Sequence, residues 1–224
     1  MKADHSPTVF IIDNDAPLRA SLRFLVESAD LAGEEFGSAE AFLAAYDPER
    51  PGCLILDVRL PGMSGVVLQE TLRDRGCRLP IIVMTGFADV GTAVGMLKGG
   101  AFDFFEKPFA DQQLLERVHQ AISFDGSRRR ASAQREALTA RIACLTAREH
   151  EVFQEVVHGK ANKVVALEFG ISEKTVEVHR ARVMQKLGAT SLAELVRMDL
   201  LAQQPTDSLL LRVARSVVAQ PPAL

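Results

Sequence analysis

The sequence has no apolar run near the ~18 residues that cross a bilayer, which excludes a helical membrane span. It has few cysteines, and Cys53, Cys77 and Cys144 are odd in number and far apart. That spacing excludes a disulfide frame or a zinc site. Each stands among apolar neighbours, which predicts buried, reduced thiols in a cytosolic protein. An apolar leader is also missing: Met1 to Pro7 is polar and runs straight into a strand-like segment, so we expect no signal peptide and a cytoplasmic location. There are no internal repeats. Nor is there much excess of either charge, with 26 Lys and Arg against 29 Asp and Glu.

What is present suits a packed chain. The 224 residues are 47% hydrophobic and 25% charged, enough for one large domain or two ordinary ones. The overall charge of −3 hides a division. Residues 1–124 hold 11 basic and 18 acidic residues, a net of −7, and residues 125–224 hold 15 and 11, a net of +4. An acidic half followed by a basic half points to two modules with different partners.

The first half alternates strand and helix signals. Val9 to Ile12 is a short apolar run ending in Asp13, Leu54 to Leu56 ends in Asp57, Ile81 to Met84 ends in Thr85, and Phe102 to Phe105 leads to Lys107-Pro108. A further strand fits Ala32 to Phe36. Fully apolar short strands are what a parallel sheet covered on both faces requires. Helical stretches lie between them: Pro17 to Ser28, Ser38 to Tyr46, Gly65 to Arg75 and Val90 to Lys98. The alternation predicts an α/β domain over residues 1–124, a five-stranded doubly wound parallel sheet of flavodoxin-like form, closed by a helix near Asp111 to Ser123.

Asp125-Gly126-Ser127 and Arg128-Arg129-Arg130 then change the composition. Residues 125–143 read as a helical linker, with Leu138 and Ile142 at i, i+4 spacing and the arginine run solvated. From Leu145 onward every signal is helical, which predicts a small all-α domain over 144–203. Thr146 and Glu149 have capping-box spacing. Val152, Phe153, Val156 and Val157 form an apolar face. Asn162 to Phe169, a turn at Gly170, and a longer helix from Ser172 to Leu187 have the helix-turn-helix form. Gly170 suits a turn with positive φ. Val165, Ile171, Val176, Val183 and Leu187 would share the core, with His179 packed and hydrogen-bonded near the inward stripe. Lys174, Glu177, Val178, Ala181, Arg182 and Gln185 are left on the outer face, and Arg180 on the flank. A last helix starts near Ser191. Residues 204–224 form a tail in which Leu209, Leu210, Val213 and Val217 make an apolar helical stripe.

In a doubly wound sheet, ligands sit beyond the carboxyl ends of the strands. Asp13-Asn14-Asp15, Asp57, Thr85 and Lys107 would all converge there. A carboxylate nucleophile, a hard-cation site, a hydroxyl and an ammonium suit phosphoryl transfer to a carboxylate. Asp57 would attack, Mg²⁺ on oxygen ligands would neutralise phosphate charge, and Lys107 with Thr85 would hold the phosphoryl oxygens.

Over about residues 7–123 this pattern resembles the receiver domains of two-component systems. The resemblance rests on Ile12-Asp13, Leu56-Asp57 with Pro61-Gly62-Met63-Ser64-Gly65, Met84-Thr85-Gly86 and Lys107-Pro108-Phe109. It implies that Asp57 takes a phosphoryl group from a histidine kinase, and that Thr85 and Phe104 act as switch residues for the face between the fourth helix and the fifth strand. It implies a cis bond at Lys107-Pro108 that aims the lysine. It also implies a metal set of Asp13, Asn14, Asp57 and the Arg59 backbone carbonyl. One departure stands out. Asn14 occupies a position that is usually acidic in the family, so we expect weakened Mg²⁺ binding.

Leu145 to Leu200 resembles the LuxR/NarL-type helix-turn-helix, through Leu145-Thr146-Ala147-Arg148-Glu149, Asn162-Lys163, Ile171-Ser172, Thr175 to His179 and Lys186-Leu187. Together the two halves are similar to the FixJ-like regulators. The implied DNA-facing set is Lys163, Lys174, Thr175, Glu177, Val178, Arg180, Arg182 and Lys186. The cations among them are candidates for phosphates, and Glu177 and Val178 for a cytosine amino group and a thymine methyl. The last helix is implied as a dimer contact.

The function expected is phosphorylation-controlled transcription, with double-stranded DNA, a cognate histidine kinase, RNA polymerase and a second copy of the chain as partners. No membrane is expected as a partner, nor enzymatic activity beyond phosphorylation and dephosphorylation of Asp57 itself. The alternative is a DNA-binding regulator independent of phosphorylation, whose receiver binds a partner protein. An aspartyl phosphatase is a third reading, but such enzymes want a second Asp two residues after the nucleophile, where Arg59 stands.

Overall fold

The computed structural model describes residues 6–86 and 90–203, so the expected stripe in 204–224 lies outside the described residues. The chain divides into two compact units, residues 1–127 and 128–224.

In the first unit, β1 (Thr8–Ile12), β2 (Ala32–Phe36), β3 (Gly52–Asp57), β4 (Ile81–Thr85) and β5 (Asp103–Glu106) alternate with α1 (Ala16–Glu27), α2 (Ala39–Ala45), α3 (Gly65–Asp74) and α4 (Val90–Lys98). All strand pairs are parallel, in the order β2-β1-β3-β4-β5. β1, β3 and β4 are buried at every position, as expected of strands with helices on both sides. Successive residues serve opposite faces. Phe10, Ile12, Leu54, Leu56 and Val83 pack with Phe42, Leu68, Leu72 and Met96, while Val9, Ile11, Ile55, Ile82 and Met84 pack with Leu22, Val26, Leu114 and Val118.

Local chemistry starts the first three helices. Asp15 caps α1 through the Leu18 N–H, Ser38 caps α2 through Ala41, and Ser64 caps α3 through Val67. Phe10, Phe36, Phe42 and Tyr46 form a tilted and edge-on aromatic chain under α2, with neighbouring centroids 5.3–6.5 Å apart.

The second unit is helical. α6 (Ala147–Val157), α7 (Asn162–Phe169), α8 (Glu173–Leu187) and α9 (Leu192–Gln203) enclose Val152, Phe153, Val156, Val165, Val176, Val183, Leu187 and Leu195. Ile171 and Val157 pack on this core half-buried. Gly170 takes φ +65° in the turn between α7 and α8, as a left-handed cap demands.

Residues 125–143 are helical as expected, but they continue the helix that closes the first unit, as α5 (Asp111–Ala143) is a single helix of 33 residues. Asp125-Gly126-Ser127 does not stop it: a helical glycine costs only about 1 kcal/mol, and the buried Asp125 carboxylate accepts the Gly52 N–H at 3.1 Å. Two further expectations need correction. The arginine run lies within this helix, with Arg128 and Arg129 half-buried rather than fully solvated. The cysteines are all free, but only Cys53 is buried. Cys77 is intermediate, and Cys144 is exposed because it falls at the break between α5 and α6.

Removing the ring at the centre of the aromatic chain tests this packing. Phe42→Ala should lower the stability of the first unit by about 3–5 kcal/mol, read as a lower midpoint in urea followed by circular dichroism.

Candidate functional site

Parallel register brings the ends of separate strands together. Ile12 pairs with Leu56, so Asp13 and Asp57 leave neighbouring strands side by side. Asp57 pairs with Met84 and Thr85 with Glu106, which puts Lys107 one residue beyond β5. Asp13, Asp57 and Thr85 are buried at 1%, 5% and 4% exposure. The Lys107 ammonium donates to Asp13 Oδ2 at 2.6 Å and to Asp57 Oδ1 at 3.0 Å. Lys107-Pro108 is cis, and the Lys107 N–H donates to the Thr85 carbonyl at 2.7 Å. Phe104, opposite Val83, packs half-buried on the core.

Burial pushes the Asp57 carboxyl up, and the opposing pull of Lys107 does not cancel it. Burial acts to lower the Lys107 ammonium, but Asp13 and Asp57 outweigh it and hold the lysine above its usual range. The lysine therefore stays charged beside a carboxylate that is more basic than usual.

The surrounding loops are tied down. The Asp57 Oδ2 accepts the Arg59 N–H at 3.2 Å. Gly65 begins α3 so close to β3 that a Cβ there would lie 2.4 Å from the Asp57 carbonyl oxygen, and only glycine fits. Glu40 Oε1 accepts the Met63 N–H at 2.9 Å and pins the loop after β3. Arg19 Nη1 donates to the Asp13 carbonyl at 2.7 Å. Neither Glu40 nor Arg19 was visible as a site residue in sequence, because each reaches the loop from a helix without motif spacing.

The donor set suits a hard cation only in part. Asp13, Asp57 and a backbone carbonyl at Arg59 are oxygen ligands of the right kind. Asn14 is exposed and uncharged, and Asp15 is exposed and engaged in capping α1. Among the described residues no three His, Cys, Asp or Glu side chains gather into one cluster, so the pocket offers two carboxylates rather than three.

In the second unit, α7 and α8 form the helix-turn-helix. Lys174, Thr175, Glu177, Val178, Ala181, Arg182 and Gln185 are exposed along α8. The cations divide. Lys163, Lys174 and Arg182 are exposed and carry no ion pair among the described residues. Arg180 donates to Asn162 Oδ1 at 3.2 Å, which steadies it beside the start of α7. Lys186 has partners within the unit: its ammonium donates to the buried Glu149 at 2.6 Å and to the Cys144 carbonyl at 3.3 Å. A lysine held by a buried carboxylate is a clamp between α8 and the start of α6. His179 is packed as expected, but its Nδ1 is buried without a hydrogen-bond partner among the described residues.

α7 also begins at Ala161 with no side-chain cap. The Val164 N–H in its first turn donates to the Ala161 carbonyl at 2.9 Å, and the helix dipole there, beside Lys163, favours anions.

Comparison with known proteins agrees with both halves. Residues 9–119 match the family described as response regulator receiver domain, and residues 143–199 the family described as bacterial regulatory proteins, luxR family. The transcriptional regulatory protein FixJ of Azorhizobium caulinodans is 47% identical over 87% of this chain and 92% of its own length. Nodulation protein W of Bradyrhizobium diazoefficiens is 42% identical over 88% of this chain and 87% of its own. The solved structure of the response regulator StyR superposes with a TM-score of 0.79 at 42% identity, covering 86% of this chain and 98% of that one. The chain belongs to the FixJ-like response regulators. It is a transcriptional regulator with a receiver domain and a LuxR-type helix-turn-helix. No helix among the described residues is long and apolar enough to cross a membrane.

The regulator's Glu149 yields a pH prediction. Its carboxyl is lowered to about 2 from 4.5, first by Lys186 and then by the Thr146 N–H of the capping box. Folding lowers this pKa, so the stabilisation is complete above about pH 4.5 and is lost as pH falls from there toward 2. In Glu149→Gln the helical unit should be less stable at pH 7, and the gap to wild type should close as pH drops. Amide exchange of residues 147–187 in the full chain measures both.

Proposed function

We propose that the regulator is switched by phosphorylation of Asp57, and that the modified chain dimerises and binds an operator in double-stranded DNA. The observation that carries this reading is one ammonium, Lys107, held within hydrogen-bond reach of two buried carboxylates from different strands. A buried, basic Asp57 beside a fixed cation is equipped to receive a phosphoryl group. The group comes from a phosphohistidine of the cognate kinase. An Asp57 oxygen bonds to phosphorus as the phosphorus–nitrogen bond breaks, and the imidazole leaves. Lys107 stays protonated and offers its charge to the new phosphoryl oxygens, with the Thr85 hydroxyl at the neighbouring strand end. Mg²⁺, held by Asp13, Asp57 and the Arg59 carbonyl, would supply further charge neutralisation when bound.

Phosphorylation is then expected to shift Thr85 and Phe104 and so remodel the face of α4 and β5. Dimerisation doubles the DNA contacts and raises affinity through effective concentration. On DNA, α8 enters the major groove with Thr175, Glu177 and Val178 facing base edges. Lys163, Lys174, Arg182 and the Asn162-steadied Arg180 meet phosphates, together with the positive end of the α7 dipole. Contact with RNA polymerase follows from a role in activation. The protein works in the cytoplasm, and its chemistry is limited to gaining and losing the phosphoryl group.

A second reading has its own support. Asn14 removes a charge from the metal site, and Asp15 is engaged elsewhere. Under this reading the receiver binds a partner protein and the DNA-binding unit acts without phosphorylation.

Operators selected from a random duplex pool separate the two. With a small-molecule phosphoryl donor and Mg²⁺, wild-type affinity should rise about ten-fold or more, as a second half-site is engaged. Asp57→Ala should bind at the unphosphorylated level in either condition. Equal affinity in all cases would favour the second reading. Calorimetry should also show Asn14→Asp binding Mg²⁺ roughly ten-fold more tightly than wild type, since one carboxylate is added to the ligand set.

A further inference from the structure

Outside the acidic pocket, Gln69 on α3 is one of few buried polar side chains among the described residues. A buried amide must find a partner. Its Nε2 donates to the carbonyl of Met96 in α4 at 2.8 Å. That carbonyl also accepts the Ala101 N–H at 3.0 Å, while the Gly100 N–H, from a residue at φ +98°, reaches the Leu97 carbonyl at 3.0 Å. These two backbone bonds close the C-terminus of α4 as a Schellman motif. Gln69 therefore adds a side-chain donor from another helix to the carbonyl at which α4 stops. Gly99 makes the room, since a Cβ there would sit 3.2 Å from Gln69 Nε2.

α4 needs that support. It has nine residues, below the ~12–15 at which an isolated helix becomes even marginal. Gly91 and Gly95 lie inside it, each about 1 kcal/mol poorer than alanine. Val90, Thr92 and Val94 are β-branched, which disfavours helix further. Among its described side chains only Met96 is buried, while Val94 and Leu97 are 43% and 45% exposed. Two ties to the domain thus fall on one residue: the Met96 side chain in the core and the Met96 carbonyl on Gln69.

We infer that Gln69 is a positioning residue that latches the last turn of α4 and so holds the Val94–Leu97 face in its resting place. The inference rests on the phosphorylation-switch reading and names the part of the receiver that resists the switch. A latch of one buried hydrogen bond biases the equilibrium without locking it. Removing it should shift the resting population by roughly five-fold.

The test uses the full chain with Gln69→Leu, which deletes the donor, and Gln69→Met, which also keeps the length of the side chain. Amide exchange in residues 90–101 should accelerate in both variants, while residues 8–12 and 52–57 exchange as in wild type. Operator affinity without a phosphoryl donor should rise roughly five-fold, with affinity after acetyl phosphate treatment unchanged, so the ratio narrows. Wild-type exchange in α4, or an unaltered ratio, would overturn the latch. So would faster exchange across the whole sheet in both variants, which marks a merely structural role. If wild type itself ignores acetyl phosphate, the phosphorylation reading fails, and the exchange pattern of α4 still decides the latch.

Discussion

The ion triad of Asp13, Asp57 and Lys107 is the constraint on which the receiver half depends. Two carboxylates at 1% and 5% exposure would repel each other strongly with no cation between them. The ammonium at 2.6 and 3.0 Å makes their approach tolerable. It can do so only because parallel register delivers three distant segments to one edge of the sheet. Register in turn depends on the apolar strands, whose alternate residues are committed to opposite cores. The chemistry of the pocket is therefore a consequence of packing several ångströms beneath it. Gly65 makes the link explicit, since a single methyl at the start of α3 would press on the backbone that carries Asp57.

Much of this was legible in the sequence, for definite reasons. β1, β3 and β4 are continuous apolar runs ending in a polar residue, so both strand and site could be read from one pattern. Ser38, Thr146 and Ser172 announce their helices through side-chain oxygens that accept backbone N–H groups, a local signal independent of the fold. What escaped was settled by tertiary partners. Asp125-Gly126-Ser127 has the composition of a helix end, yet Asp125 is held by a backbone N–H on β3, 73 residues earlier in the chain. Cys144 has apolar neighbours in sequence but lies where one helix breaks before the next.

Lys186 shows the same limit within the candidate interface. Helical spacing alone cannot tell a lysine that faces a nucleic acid from one that faces a buried carboxylate, because both lie on a polar flank. The capping-box glutamate is the partner that the sequence pattern hides. Glu149 already accepts the Thr146 N–H, and its oxygen at 4% side-chain exposure needs a charged donor to be stable there. Lys186 supplies one. The clamp joins the last turn of α8 to the first of α6, and so bears on the placing of the whole of α8. Lys163, Lys174 and Arg182 have no such ion pair among the described residues.

Asn14 then acquires a physical meaning. With Asp13, Asp57 and Lys107 ionised, the pocket carries a net charge of −1. An acid at position 14 would make it −2, and would raise the attraction of the pocket for a divalent cation. With asparagine there, Lys107 comes close to balancing the pocket unaided, so the resting state depends less on metal. On the phosphorylation reading, arrival of a phosphoryl group would change that balance, because phosphoaspartate carries about two negative charges where the carboxylate carried one, beside an ammonium already shared. The demand for Mg²⁺ would thereby be greater in the phosphorylated state than at rest. On that reading, a pocket that carries less charge at rest and more when modified would tie the modified state, more than the resting one, to the available cation.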